Sequence, residues 1–284
     1  MKNHSGPLLL LHIPKTGGMT LRAIVARQFS ARTTYIIDNS VNESIIQFRT
    51  MPAADRARIQ CLSGHMSYGL HELMAPSARY LTMLREPLRR ARSDYQFVST
   101  NRLHPLYATV SGMTFAEYMR SGITGQLSNG QTRLICGDSA PDNSGIPTNC
   151  ALSRADLDRA FGHIEERFPV VGIQERFDES LILMRRHFGW PLPYYAKQNV
   201  TQCDAGTGSI DCAGDSVVGA QNKLDIALYR YVLERFERQL TEQHWSYRWE
   251  LRALRTVNRL YQGLGLNGWL RIKRRIGAFL NPGQ

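Results

Sequence analysis

Three short stretches hold residue types that could carry out group transfer. The first is His12-Ile-Pro-Lys-Thr-Gly-Gly-Met-Thr20, which follows an apolar run and opens a helical pattern. A loop so placed offers backbone N–H groups at the positive end of a helix, a site suited to phosphate or sulfate. Lys15 adds a mobile charge, and Thr16 and Thr20 add hydroxyls. Gly17 and Gly18, ahead of Met19, lack the Cβ atoms that would keep a ligand from the backbone. The loop is neither a Walker A motif, whose Lys follows the second glycine, nor a Gly-x-Gly-x-x-Gly fingerprint. The second stretch, residues 81–95, ends a strand pattern at Arg85 and places Ser93 two turns into the following helix. The Arg85 guanidinium can grip a phosphate with two parallel bonds. Arg89, Arg90 and Arg92 add positive field there, or form a solvated helix face. The third, Ser63-Gly-His-Met-Ser-Tyr68, puts His65 just past a short strand. Transfer to a hydroxyl needs a base for the proton and cations for the departing charge. His65 suits the first task and Lys15 the second. His12 adjoins the loop and either packs against it or meets the substrate.

The elements that must hold these residues alternate. Strands are expected at 7–13, 33–37, 59–63, 79–84 and 168–173. Helices are expected at 19–29, from Pro87 to about 98, from the Thr114–Glu117 capping box, from Ser153 to about 166, and at 178–188. Residues 137–149 and 206–219 read as polar loops, and long helical patterns fill 220–261. Strand–helix alternation predicts an α/β domain with a mostly parallel central sheet, P-loop-like and three-layered, over 1–240. A basic helical extension over 241–284 packs on it or trails from it. Lys15, His65 and Arg85, each just past a strand, then meet at the carboxyl edge of the sheet.

The two anion motifs resemble the 5′-phosphosulfate loop and the 3′-phosphate motif of carbohydrate sulfotransferases. The wording His-Ile-Pro-Lys-Thr-Gly-Gly is similar to the heparan-sulfate 2-O and 6-O class and its bacterial relatives. The resemblance implies that 3′-phosphoadenosine 5′-phosphosulfate is the donor and 3′-phosphoadenosine 5′-phosphate the product, with no metal. It implies contacts to the donor from Lys15, Thr16, Gly17, Gly18, Met19 and Thr20, and from Arg85 and Ser93 to the 3′-phosphate. It also implies that His65 is the general base. The 2-O branch has a second His two residues earlier, where this chain has Ser63. Weaker likeness continues downstream. Asn129-Gly-Gln-Thr-Arg-Leu134 is similar to a 6-O helix start, whose Arg133 could meet an anionic acceptor or lie on the helix surface. Residues 168–177 resemble another 6-O stretch, in which Glu175 and Arg176 read as structural. Lys197-Gln-Asn-Val-Thr201 resembles a loop that lies over the nucleotide through Asn199. The implied acceptor is a hydroxyl of a glycan or glycoconjugate.

The chain has 284 residues, 35 Lys+Arg against 24 Asp+Glu, and a net charge of +11. With 43 % hydrophobic and 21 % charged residues, its composition excludes a disordered or collagen-like chain. The positive balance suits anionic partners of any class. Two other readings stay open on residue types alone: an atypical P-loop kinase, and a non-enzymatic polyanion binder using the basic carboxyl-terminal third. No named nucleic-acid motif occurs, so nucleic acid is not the expected partner. A basic amphipathic stretch at 266–280 could touch an anionic membrane. The longest early apolar run, Leu8–Leu11, is too short to span a bilayer or form a signal peptide, from which a cytoplasmic location is expected, or else a soluble fragment of something longer. Five cysteines suit scattered thiols better than a disulfide framework, although Cys136–Cys150 and Cys203–Cys212 each bracket a loop. Oligomeric state is left open.

Overall fold

The computed structural model describes residues 6–37, 40–137, 151–196 and 212–262. Five parallel strands form one sheet in the order β2-β3-β1-β4-β5. They are β1 Leu8–Leu11, β2 Thr34–Ile37, β3 Cys61–Gly64, β4 Arg79–Leu84 and β5 Val171–Ile173. Every residue of β1 and β3 is buried, so these strands are covered on both faces. That explains the all-leucine run of β1. The register sets Leu8 opposite Cys61 on one side and Arg79 on the other. The chain leaves β1 toward β2, whereas it leaves β3 across β1 to reach β4. The order therefore reverses between β1 and β4, and their carboxyl ends border the crevice where open α/β sheets bind ligands.

The helices α1 Gly18–Ala26, α2 Val41–Thr50 and α3 Ala53–Arg56 connect the first three strands. Between β4 and β5 run α4 Pro87–Thr100, α5 Tyr107–Val110, α6 Phe115–Ser121, α7 Gly130–Cys136 and α8 Arg154–Arg167. After β5 come α9 Phe177–Phe188, α10 Cys212–Gln221 and α11 Lys223–Thr241, then α12 over 246–262. The expected parallel α/β domain is thus what the chain forms. The Thr114–Glu117 capping box opens α6 as expected. Three details differ. Helix α2 carries no expectation from the sequence, yet Ile45 and Phe48, three residues apart, bury one face of it. Strand β5 begins only at Val171, because Phe168 ends α8 and Pro169 has no N–H for a ladder. Residues 212–219 are helical rather than loop. Val218 packs with Val98, Val110 and Tyr118, and Arg92 of α4 grips Asp215 with bonds of 2.7 and 2.8 Å. Such packing outweighs the low helix propensity of Gly214 and Gly219.

Helix α7 is buried along its whole length and is held by a reciprocal exchange with α11. The Asp225 carboxylate accepts from the amides of Gln131 (3.1 Å) and Thr132 (2.7 Å). Asn129 Oδ1 accepts in return from the amides of Leu224 (2.9 Å) and Asp225 (3.1 Å). Each side chain thereby caps the other helix's orphan donors. The buried guanidinium of Arg90 lies 3.7 Å from Asp225 and donates to the Gln126 carbonyl at 2.7 Å. Arg90 is therefore buried rather than part of a solvated face, whereas Arg92 is exposed and spends its charge on Asp215.

Candidate active site

His12 and the loop to Gly17 leave the end of β1, His65 follows β3, and Arg85 follows β4. The fold brings these three sequence-predicted groups to one edge of the sheet. The Arg85 Nη1 donates to the Lys15 carbonyl at 3.0 Å, bridging the two strands of the switch point. The backbone of Arg85 is itself fixed by buried Gln131. That side chain accepts from the Arg85 amide (3.0 Å) and donates to its carbonyl (2.9 Å). Sequence reasoning met Gln131 only within the 129–134 likeness and gave it no role, because its partner lies 46 positions away. Glu175 acts similarly on the next residue, accepting from the Glu86 amide at 3.1 Å. Glu86 in turn caps α4 through the amides of Leu88 and Arg89.

The loop is tightly folded. The Thr16 hydroxyl donates back to the Ile13 carbonyl at 2.9 Å. Lys15 has φ 67°, a left-handed conformation that costs a non-glycine residue roughly 1–2 kcal/mol. Gly17 also has positive φ (80°), leading into α1 without a side-chain cap or an acidic residue in the first turn. The start of α1 thus keeps the anion-binding character expected of it. Lys15 Nζ sits 3.9 Å from the centre of the Phe97 ring. Burial lowers the Lys15 pKa from its ordinary value; Asp94 opposes that shift and Arg85 adds to it. Ser93 stands one turn before Phe97 on α4 and shares its face, the side toward Lys15.

His65 and His12 form a stacked pair with ring centroids 4.3 Å apart and planes 22° apart. His65 Nδ1 lies 2.9 Å from the His12 carbonyl oxygen. A carbonyl can only accept, so Nδ1–H donates and the neutral imidazole keeps its lone pair on Nε2. Burial lowers the His65 pKa, the bond to His12 works against that, and Arg22 adds to it, favouring this neutral form. Burial, His65 and Arg22 push His12 down to about 3. The His12 ring also explains Gly18. A Cβ there would fall 1.9 Å from His12 Cδ2 and 2.0 Å from Nε2. The glycine makes room for a buried histidine, a packing reason in addition to the ligand approach expected of it. Met19 is exposed beside it, and Thr20 is buried in the first turn of α1.

The other candidate residues are Arg133 and several outside the described residues. Arg133 is 2 % exposed within α7, so it is no surface arginine. Asn199, both loop partners Cys150 and Cys203, and the basic stretch 266–280 lie outside the described residues. Among the described residues, no group of three or more His, Cys, Asp or Glu is placed to hold a metal ion.

A family model for galactose-3-O-sulfotransferases matches residues 11–274. Human galactose-3-O-sulfotransferase 3 is 29 % identical over 189 residues, covering 63 % of this chain and 43 % of that protein. Mouse galactosylceramide sulfotransferase is 26 % identical over 190 residues with the same coverage of each. The chain thus spans less than half the length of the curated relatives it matches, and these are mammalian rather than bacterial. They overturn the expected cytoplasmic location. That expectation rested on a missing apolar leader, and a chain matching 43 % of relatives that include a sulfotransferase of a lipid-linked galactose gives it no basis. Among the described residues no helix is long and apolar enough to cross a membrane, which leaves the location open. With the match running from the end of β1 past α12, the chain belongs to the galactose-3-O-sulfotransferase family.

Proposed function

We propose that this protein is a sulfotransferase that moves a sulfuryl group from 3′-phosphoadenosine 5′-phosphosulfate to a hydroxyl of a galactose-bearing glycan or glycolipid. The observation that carries the reading is the junction of β1 and β4, where Arg85 Nη1 meets the Lys15 carbonyl at 3.0 Å, beside His65. Two cationic side chains and an uncapped helix start thus border one crevice, which suits a nucleotide with phosphate at both ends. The galactose acceptor follows the names of the relatives. Family membership leaves neither the kinase nor the non-enzymatic reading with support.

The donor supplies an activated sulfuryl group on a phosphate leaving group. Lys15 and the first amides of α1 hold the negative charge at that end. Arg85, steadied by Gln131, and Ser93 hold the 3′-phosphate and so distinguish the donor from ATP. His65 Nε2 accepts the acceptor hydroxyl proton, while Nδ1–H stays bonded to the His12 carbonyl as the imidazolium forms. Cationic side chains placed in advance stabilise the developing charge, so positioning and electrostatics carry the rate.

Calorimetric titration with 3′-phosphoadenosine 5′-phosphate tests the donor site. The wild-type chain should bind it more tightly than ADP, and Lys15→Ala and Arg85→Ala should each weaken it by at least about tenfold, as loss of a charged hydrogen bond does. Unchanged affinity in both variants would remove the donor assignment.

A further inference from the structure

The outer face of α12 and the turn before it carry exposed apolar side chains beside a row of arginines. Trp245, Trp249 and Leu260 are 67 %, 61 % and 48 % exposed. Arg248, Arg252, Arg255 and Arg259 are exposed beside them at spacings of three and four residues, so they form one row. Arg252 lies over the Trp249 ring at 5.5 Å. The helix has one carboxylate, Glu250, and it turns inward to Arg185 and to Arg186, the latter at 2.9 Å. No acidic residue of α12 therefore offsets the row, although Asp178 of α9 pairs with Arg255. The opposite face is covered, with Leu254 and Asn258 buried and Asn258 Oδ1 accepting from the Tyr195 amide at 2.8 Å.

We propose that this face docks the protein on an anionic lipid bilayer. A soluble polyanion would satisfy the arginines but leave two indoles and a leucine in water. The headgroup region of an anionic bilayer satisfies both, with phosphates for the arginines and an amphipathic layer for the tryptophans. At about 1.5 Å per residue the helix is about 25 Å long, and its charge lets it lie flat rather than cross. The docked helix is also joined to the donor loop through packed side chains. Arg255 pairs with Asp178 at 3.3 Å, and Tyr195, bonded to Asn258, packs on Phe177 at 5.0 Å. Phe177 borders the donor loop at Gly17. This last point rests on the sulfotransferase reading, whereas docking itself does not.

Vesicle sedimentation tests the proposal, using phosphatidylcholine alone and phosphatidylcholine mixed with phosphatidylserine. The protein should bind the mixed vesicles in preference, and tryptophan emission should shift to the blue as Trp245 and Trp249 leave water. Arg248→Gln with Arg252→Gln should lower binding about 30-fold at low salt. Trp245→Ser with Trp249→Ser should weaken binding and abolish the blue shift while circular dichroism and melting stay as in the wild type. Failure to bind mixed vesicles would overturn docking, as would binding that the Trp variant leaves intact. Tight heparin binding without an emission shift on vesicles would assign the row to a soluble polyanion instead. None of these readouts uses the donor nucleotide, so a failed donor titration leaves this result standing.

Discussion

Gly18→Ala perturbs the site by a single methyl group, and its effect can be worked from the packing. The new Cβ would lie 1.9 Å from His12 Cδ2 and 2.0 Å from Nε2, far inside van der Waals contact. The His12 ring must move, and it is buried and stacked 4.3 Å from His65. Overpacking of this kind costs about 1–3 kcal/mol. A displacement of about 1 Å at the reacting groups costs about 100-fold in rate. Gly18→Ala should therefore lower the urea midpoint and slow transfer while leaving donor-nucleotide affinity near wild type. The diagnostic comparison is the same substitution on top of His12→Ala. There the obstructing ring is gone, and alanine in a helix is better than glycine by up to about 1 kcal/mol. The stability effect should fall to zero or change sign. Equal cost in both backgrounds, within about 0.5 kcal/mol, would refute the packing argument. It would return Gly18 to a role in ligand approach or backbone conformation.

Two further outcomes follow from the same structure. Asp225→Ala removes the cap of α7 and strands the buried Arg90 guanidinium, so urea unfolding should show a loss of about 3–5 kcal/mol; a loss under about 1 kcal/mol would mean the pair holds nothing together. Acid should weaken the fold through His12. Its folded pKa of about 3 lies below the ordinary 6.5, so the unfolded state binds the proton first. Its stability contribution is full above pH 6.5 and falls by about 1.4 kcal/mol per pH unit below it, or about 2 kcal/mol by pH 5. His12→Phe should flatten that part of the pH profile, and a profile as steep as the wild type's would place the titration elsewhere.

How far the sequence reveals the molecule depends on how local each signal is. The strand–loop–helix at 8–26 and the strand end at Arg85 were legible because each is written in contiguous residues. So was the placement of His65 after a short strand. The support beneath them was not. Gln131 fixes Arg85 from 46 positions away, and Asp225 caps α7 across more than 90. Neither pairing leaves a local pattern, since a buried amide or carboxylate looks like any surface one. The arginines at 90 and 92 read as field or solvated face because helix periodicity does not reveal a partner on another helix. Gly18 was legible as a glycine that something needs, but not that a histidine ring six residues earlier needs it. The motifs pointed to carbohydrate sulfotransferases through the heparan-sulfate class, whereas the matching family carries galactose in its name. Donor-binding residues recur across acceptors, and the acceptor lies beyond what those motifs specify.

The most direct measurement of the central claim is sulfate transfer itself. The purified chain is given 3′-phosphoadenosine 5′-phosphosulfate carrying labelled sulfate, with a galactose-terminated glycan or galactosylceramide as acceptor. Wild type should label the acceptor, with an acid limb in kcat/KM below the ordinary histidine pKa of 6.5, because burial lowers that of His65. His65→Ala should lose transfer by at least about 100-fold while donor affinity is kept. Absence of transfer to any galactose acceptor in wild type, or a His65→Ala variant that turns over normally, would contradict the account.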